Sequence, residues 1–85
     1  MGLKVRLEWF DRTTEWLRGT EHSADLGDDY SVISKLGFSV NEDVNNGMFK
    51  LRQEWLSLIQ AYFFHEITFS ENDYFIAFDY EHAHE

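Results

Sequence analysis

The groups that could do chemistry in this 85-residue chain are few, and their spacing argues against catalysis. There is no cysteine, which removes thiol nucleophiles, thiolate zinc sites and disulfides together. No serine–histidine pairing stands out, no glycine-rich loop could cradle a phosphate, and no metal motif has a recognised spacing. Glu8, Asp11 and Glu15 could be read as paired carboxylates, but acids gathered around a turn form a solvated rim. His82 and His84, flanked by Glu81 and Glu85, would suit a weak metal site in an extended tail; at a terminus they read as a frayed acidic end. His65, following an apolar stretch, reads as a packed histidine with a hydrogen-bond partner. The expectation is therefore a protein with no catalytic residues, no metal and no cofactor.

Charge points to binding instead. Seven basic against 16 acidic residues give a formal charge of −9, which repels phosphate backbones and anionic membranes. The imbalance grows along the chain: residues 1–18 carry four bases and three acids, whereas residues 53–85 carry seven acids and no base. That pattern excludes direct nucleic-acid and membrane binding and fits a basic protein partner, although acidic residues also serve simply to keep an aromatic-rich chain soluble. No apolar run reaches the roughly 20 residues of a membrane span. The start, with its alternating charges, lacks a signal peptide, and Arg6 breaks a myristoylation motif. A cytoplasmic protein is expected.

The elements that must carry such a surface follow from periodicity. At this length one domain, residues 1–85, is expected, and 44% hydrophobic residues suffice for a core. Leu3, Val5, Leu7 and Trp9 alternate with Lys4, Arg6, Glu8 and Phe10, which predicts a strand over 3–10 with one buried face. Residues 15–22 are its hairpin partner, across a loop at Asp11–Thr14. Asp28 or Asp29 caps a two-turn helix through Val32, Ile33 and Leu36, ended by Gly37. Asn45-Asn46-Gly47 is a tight turn. Leu51, Trp55, Leu58, Ile59, Tyr62 and Phe63 recur at steps of three and four, predicting the longest helix over 50–64. Alternation at 65–70 and a β-prone run at 74–80 predict a second hairpin across Ser70–Asp73. The fold class is α+β: a single antiparallel sheet of about four strands with short helical segments packed on one face and the other face free.

Residues that violate their element's polarity mark where that free face binds. Phe10 is in phase with Lys4, Arg6 and Glu8, and Phe75 is opposite to Tyr74, Ile76 and Phe78. Trp16 and Leu17 are adjacent, so one must point outward. A helix lying on that face could cover any one of these aromatics; several together on one sheet face, with carboxylates near, have the composition of a binding hot spot. An inhibitor of a basic protein and an acidic adaptor or self-associating protein would both use such a face.

The motifs Gly2-Leu3-Lys4, Trp9-Phe10-Asp11, Gly27-Asp28-Asp29, Leu36-Gly37, Val44-Asn45-Asn46-Gly47, Glu54-Trp55, Tyr62-Phe63, Tyr74-Phe75 and Phe78-Asp79-Tyr80 run in order through the chain. In this order and spacing the sequence resembles the cloacin immunity protein family, without obvious gaps from Gly2 to Tyr80. The resemblance implies an antiparallel sheet with short helical segments. It also implies a non-enzymatic inhibitor that binds the basic cytotoxic ribonuclease domain of a bacteriocin cutting 16S ribosomal RNA, and is a monomer or weak homodimer when unbound. It places toxin-facing residues at Phe10, Leu17 and Phe75, with Asp11 and Trp16 beside them; Leu17 stands where the family has phenylalanine and Trp16 where it has an acid. Met48 occupies the position, filled by cysteine or tryptophan in relatives, that chooses between toxins. Family members carry prolines at the positions of Ser57 and Ala61, which implies a shorter or more broken helix than periodicity alone predicts.

Overall fold

The computed structural model describes residues 2–80; the His82/His84 tail lies outside the described residues. Its centre is the pairing of β1 (Leu3–Asp11) with β4 (Asn72–Tyr80), antiparallel and in register over nine residues from Leu3 opposite Tyr80 to Asp11 opposite Asn72. β2 (Leu17–His22) adds to the outer side of β1, and the two-residue β3 (Phe49–Lys50) to the outer side of β4, giving the order β2-β1-β4-β3. All three pairings are antiparallel. α1 (Ser31–Lys35), α2 (Val40–Asp43), a 3-10 turn (Gln53–Trp55) and α3 (Leu56–Gln60) supply the helical segments. None is long or apolar enough to cross a membrane. The α+β class is as expected.

Side chains directly opposite each other in a ladder share a face, so the register divides the sheet cleanly. Leu3, Val5 and Leu7 with Tyr74, Ile76 and Phe78 are buried on one face. There they pack with Val32, Ile33 and Leu36 of the α1 region, Ile59 of α3, and Leu51, Phe63 and Ile67. Lys4, Arg6, Glu8 and Phe10 with Asp73, Phe75, Ala77 and Asp79 lie on the other face. β2 joins Thr20, His22 and Leu17 to that second face, with a register irregularity between Trp9 and Phe10.

On the covered face, Trp9 lies across Gly19 of β2 and stacks on His65 with ring centroids 3.8 Å apart. A Cβ on Gly19 would fall 2.3 Å from the indole, so only glycine lets the ring lie there. The interruption of the second strand by a glycine is thus the space for an aromatic of the first.

Two expected elements are replaced by others. No single helix spans 50–64. Phe49 and Lys50 pair with Ile76 and Phe75, and the Leu51 amide donates to Tyr74 O, so the first residues of the apolar pattern are drawn into the sheet edge. Only Gln53–Gln60 is helical, as a 3-10 turn running into α3. The apolar spacing is still satisfied, because Leu51, Ile59 and Phe63 are buried, but through the residue after a short strand, a short helix and a loop.

Nor do residues 65–70 form a strand, and the expected second hairpin is absent. The backbone of this stretch finds side chains instead of a ladder. The Glu21 carboxylate accepts the amides of Phe64 and His65, at 2.9 and 3.0 Å. Gln60 donates to His65 O and accepts the Ile67 amide. The Tyr74 hydroxyl accepts from the Thr68 amide and from Asn72 Nδ2, which leaves its proton for His65 Nε2 at 2.8 Å. Two smaller shifts accompany these: β2 starts at Leu17 rather than Glu15, and α1 begins after Tyr30, with the Asp29 carboxylate accepting the Ser31 amide from just outside the helix. Gly37 ends it at φ 85°, as expected.

Tyr74→Phe removes the one atom shared by three polar groups while preserving the buried ring. A loss of about 2 kcal/mol is expected in denaturant unfolding, as for buried donors left unsatisfied. Amide exchange at Thr68 should accelerate more than at the β1–β4 ladder.

Candidate functional site

The uncovered face of the sheet has two unlike ends. Toward the β1 start it is polar: Arg6 pairs with Glu8 at 3.2 Å and with Asp79 at 3.6 Å, and His22 lies 4.0 Å from Asp79. Toward the β1 end it is apolar. Phe10 and Phe75 meet edge to face with centroids 5.6 Å apart, and both stand outside the core cluster. Leu17 lies directly opposite Phe10 and is 56% exposed. Met48, 44% exposed, joins Phe10, Phe75, Glu15 and Asp73 around an open cavity of about 310 Å³. Trp16, 76% exposed, sits beside Leu17 where the hairpin loop enters β2.

Each position follows from local backbone chemistry. Met48 is aimed by the turn before it. Asn45 takes φ 57° and Gly47 φ 82°, and the Asn45 side chain both accepts from the Tyr80 amide and donates to Tyr80 O. The Asn45 amide donates to Phe78 O at 2.7 Å, and Asn46 Nδ2 caps Glu42 O. This fastens the turn to the end of β4 and delivers Met48 and Phe49 to the sheet edge one residue later.

Asp11 builds the β1–β2 connection. Its Oδ1 accepts the amides of Thr13 at 2.7 Å and Thr14 at 2.9 Å, and its Oδ2 lies 3.7 Å from Arg18. The two amides, then Arg18, hold the carboxyl below its ordinary value of 3.8. Asp11 O accepts the Glu15 amide and Asp11 N donates to Trp16 O, so the four-residue loop closes with Glu15 in the left-handed region at φ 64°. Asp11 therefore stands at the site as the organiser of its loop.

The structure thus brings Phe10, Leu17, Met48 and Phe75 together at one end of the free face, with Trp16 and Asp11 at its margin. Among the described residues, neither Phe10 nor Phe75 belongs to the core cluster that the helices cover or packs against it. Asp73, Lys50 and the cavity-lining role of Glu15 were missed by sequence reasoning. Lys50 lies opposite Phe75 only because β3 exists, and Lys50 was read as the first residue of a helix over 50–64. Phe64, fully exposed among Leu56, Ala61 and Ile67 on the helical side, was missed too. Its signal was the same adjacency noted for Trp16-Leu17: in Phe63-Phe64 one ring must face out.

Fold and surface together describe a small sheet scaffold that presents an apolar cluster on an acidic body. Over residues 2–81 the chain matches the family model described as Cloacin immunity protein, and it belongs to that family. It is accordingly a bacteriocin immunity protein, from a family of inhibitors whose partner is a cognate colicin toxin.

Asp11→Ala should lower the melting temperature at neutral pH by opening the hairpin loop. Because the folded-state pKa of Asp11 lies below its unfolded value, this contribution is fully present above pH 3.8 and is lost as pH falls through the folded value. The gap between parent and variant melting curves should therefore close as pH drops below the ordinary carboxylate range. A gap unchanged at the acid end would show that the carboxylate charge is not what holds the loop.

Proposed function

We propose that this protein binds and neutralises the basic cytotoxic ribonuclease domain of a 16S rRNA-cleaving bacteriocin in the cytoplasm of the producing cell, using the apolar end of its free sheet face. The observation that carries the reading is the gathering of Phe10, Leu17, Met48 and Phe75 at one end of the sheet face opposite the core. Aromatics that contribute nothing to the core are retained on a sheet only at a cost in solubility, which a partner that desolvates them offsets.

The body behind this face supplies the long-range attraction. At −9 the protein draws a basic domain toward it and accelerates encounter, while the apolar cluster sets how long the complex lasts. Inhibition in this reading needs no residue to enter the toxin's active site. An acidic body of this size seated beside the catalytic residues repels the ribosomal RNA and blocks the approach of the ribosome. Met48 is the selectivity position, since its flexible thioether fills a pocket that a smaller or larger side chain would leave empty or overfill.

Phe10→Ala and Phe75→Ala should each weaken binding to the ribonuclease domain by about 2 kcal/mol or more by calorimetry. Neither ring belongs to the core cluster, so the melting temperature should hardly change. Added salt should weaken the parent complex mainly through slower association. Salt-insensitive binding, or self-association through the same face in place of ribonuclease binding, would favour an adaptor or a self-associating protein over this reading.

Met48→Trp and Met48→Cys, tested in a protection assay against a panel of ribonuclease bacteriocins, should reorder the preference of the parent. An unchanged order in both variants would move selectivity to Trp16 and Leu17.

A further inference from the structure

The cavity at the apolar end has a specific chemical character. Phe10, Phe75 and Met48 form an apolar lining, and Glu15 and Asp73 stand at its margin. The two carboxylates are not equivalent. Asp73 lies 3.6 Å from Arg12 Nε, and Arg12 is itself anchored by donating to Phe69 O, so the Asp73 charge is answered within the molecule. The Glu15 carboxylate makes no hydrogen bond or ion pair among the described residues. Its backbone sits at φ 64°, a conformation that glycine adopts freely and a residue with a Cβ does not. Lys50, the neighbouring cation, lies across the ladder from Phe75 and, with Arg12 and Asp73, lines a second cavity rather than this one.

We infer that this cavity receives an arginine side chain of the partner, and that Glu15 is the residue that selects it. An aromatic pair with a thioether matches the guanidinium plane and the methylene stem, and a free carboxylate at the mouth accepts its N–H groups. Lysine fits less well, because its ammonium is compact and strongly hydrated and gains little from aromatic edges. The inference deepens the toxin-binding reading and rests on it for the source of the arginine; the pocket chemistry itself can be tested without any toxin.

The probe is N-acetyl-arginine amide, with N-acetyl-citrulline amide as its uncharged isostere, titrated into the full chain while the Met48 methyl and the Phe10 and Phe75 rings are followed by NMR. The arginine probe should give saturable shifts at all three, with citrulline about tenfold weaker. Glu15→Gln should bring arginine down to the citrulline level. Glu15→Gly should lose the arginine preference in the same way while melting higher than the parent, because the left-handed backbone is relaxed. Equal responses to the two probes, or an arginine response unchanged in Glu15→Gln, would overturn the inference.

Binding of the same variants to a ribonuclease bacteriocin domain separates this inference from the reading beneath it. If Phe75→Ala loses the toxin and Glu15→Gln binds it as the parent does, the arginine site is wrong and the interface stands. If no ribonuclease domain binds the parent and the probe titrations behave as expected, the toxin reading is wrong and the pocket stands.

Discussion

The nine-residue antiparallel pairing of β1 with β4 is the constraint on which everything else in this protein depends. It joins residues close to the two ends of the chain, and its period of two assigns every side chain of both strands to one face or the other. Leu3, Val5, Leu7, Tyr74, Ile76 and Phe78 form the floor of the core because of that register. Phe10 and Phe75 are put in contact on the opposite face by the same register. A slip by one residue would bury Lys4, Arg6 and Glu8 and expose the core. The stability of the fold and the existence of the binding face are therefore two consequences of one alignment, and the face costs the fold no separate device.

Around this pair the chain economises on regular structure. β3 has two residues and the helices four or five each, so most of the core's cover is irregular backbone, which is tolerated only if its polar groups find partners. The partners are side chains projected from the regular elements, Glu21 from β2, Gln60 from α3 and Tyr74 from β4, while Asn45 ties the turn before β3 to the end of β4. Each of these side chains answers two or more backbone groups or a backbone group and another side chain. The Trp9 indole, stacked on His65 and lying over Gly19, closes the same region from the apolar side. A small chain without disulfides or metal ligation through cysteine can hold long loops in this way, because several of these bonds are at least partly removed from water.

Electrostatics is divided between the two ends of the free face. Arg6, Arg12 and Arg18, three of the seven basic residues, lie on or beside this face and are each paired with a carboxylate: Arg6 with Glu8 and Asp79, Arg12 with Asp73, Arg18 with Asp11. Exposed pairs of this kind contribute little to stability. Their effect is to answer those carboxylates within the molecule; with Lys4 and Lys50 also on this face, the acidic excess of the chain is carried elsewhere and acts on a basic partner from a distance. Asp11, with Oδ1 engaged by its own loop and Oδ2 facing Arg18 of β2, illustrates how a carboxylate at a binding surface serves the shape of that surface rather than the contact.

What the sequence alone determined was everything carried by local periodicity and composition. The alternation at 3–10 and 74–80 revealed the two central strands, the faces of Leu3 and Phe10, and the anomaly of Phe75; the Asn45-Asn46-Gly47 turn and the Gly37 stop were equally plain, since left-handed backbone selects those residue types. The family motifs named the surface residues that the structure then brought together. Tertiary structure alone decided the rest. Residues 50 and 51 open a helical pattern and are drawn to the sheet edge because β4 offers an unpaired ladder, and 65–70 alternate like a strand and become a loop because Glu21, Gln60 and Tyr74 reach their backbone groups. Glu15 reads as one acid among several until the hairpin closes and sets it, with Asp73, at the margin of an aromatic cavity. Periodicity reports which residues must be hidden, and a ladder, a helix or a side-chain cap can hide them equally well. The choice among these belongs to partners far away in the sequence, which a local pattern does not contain.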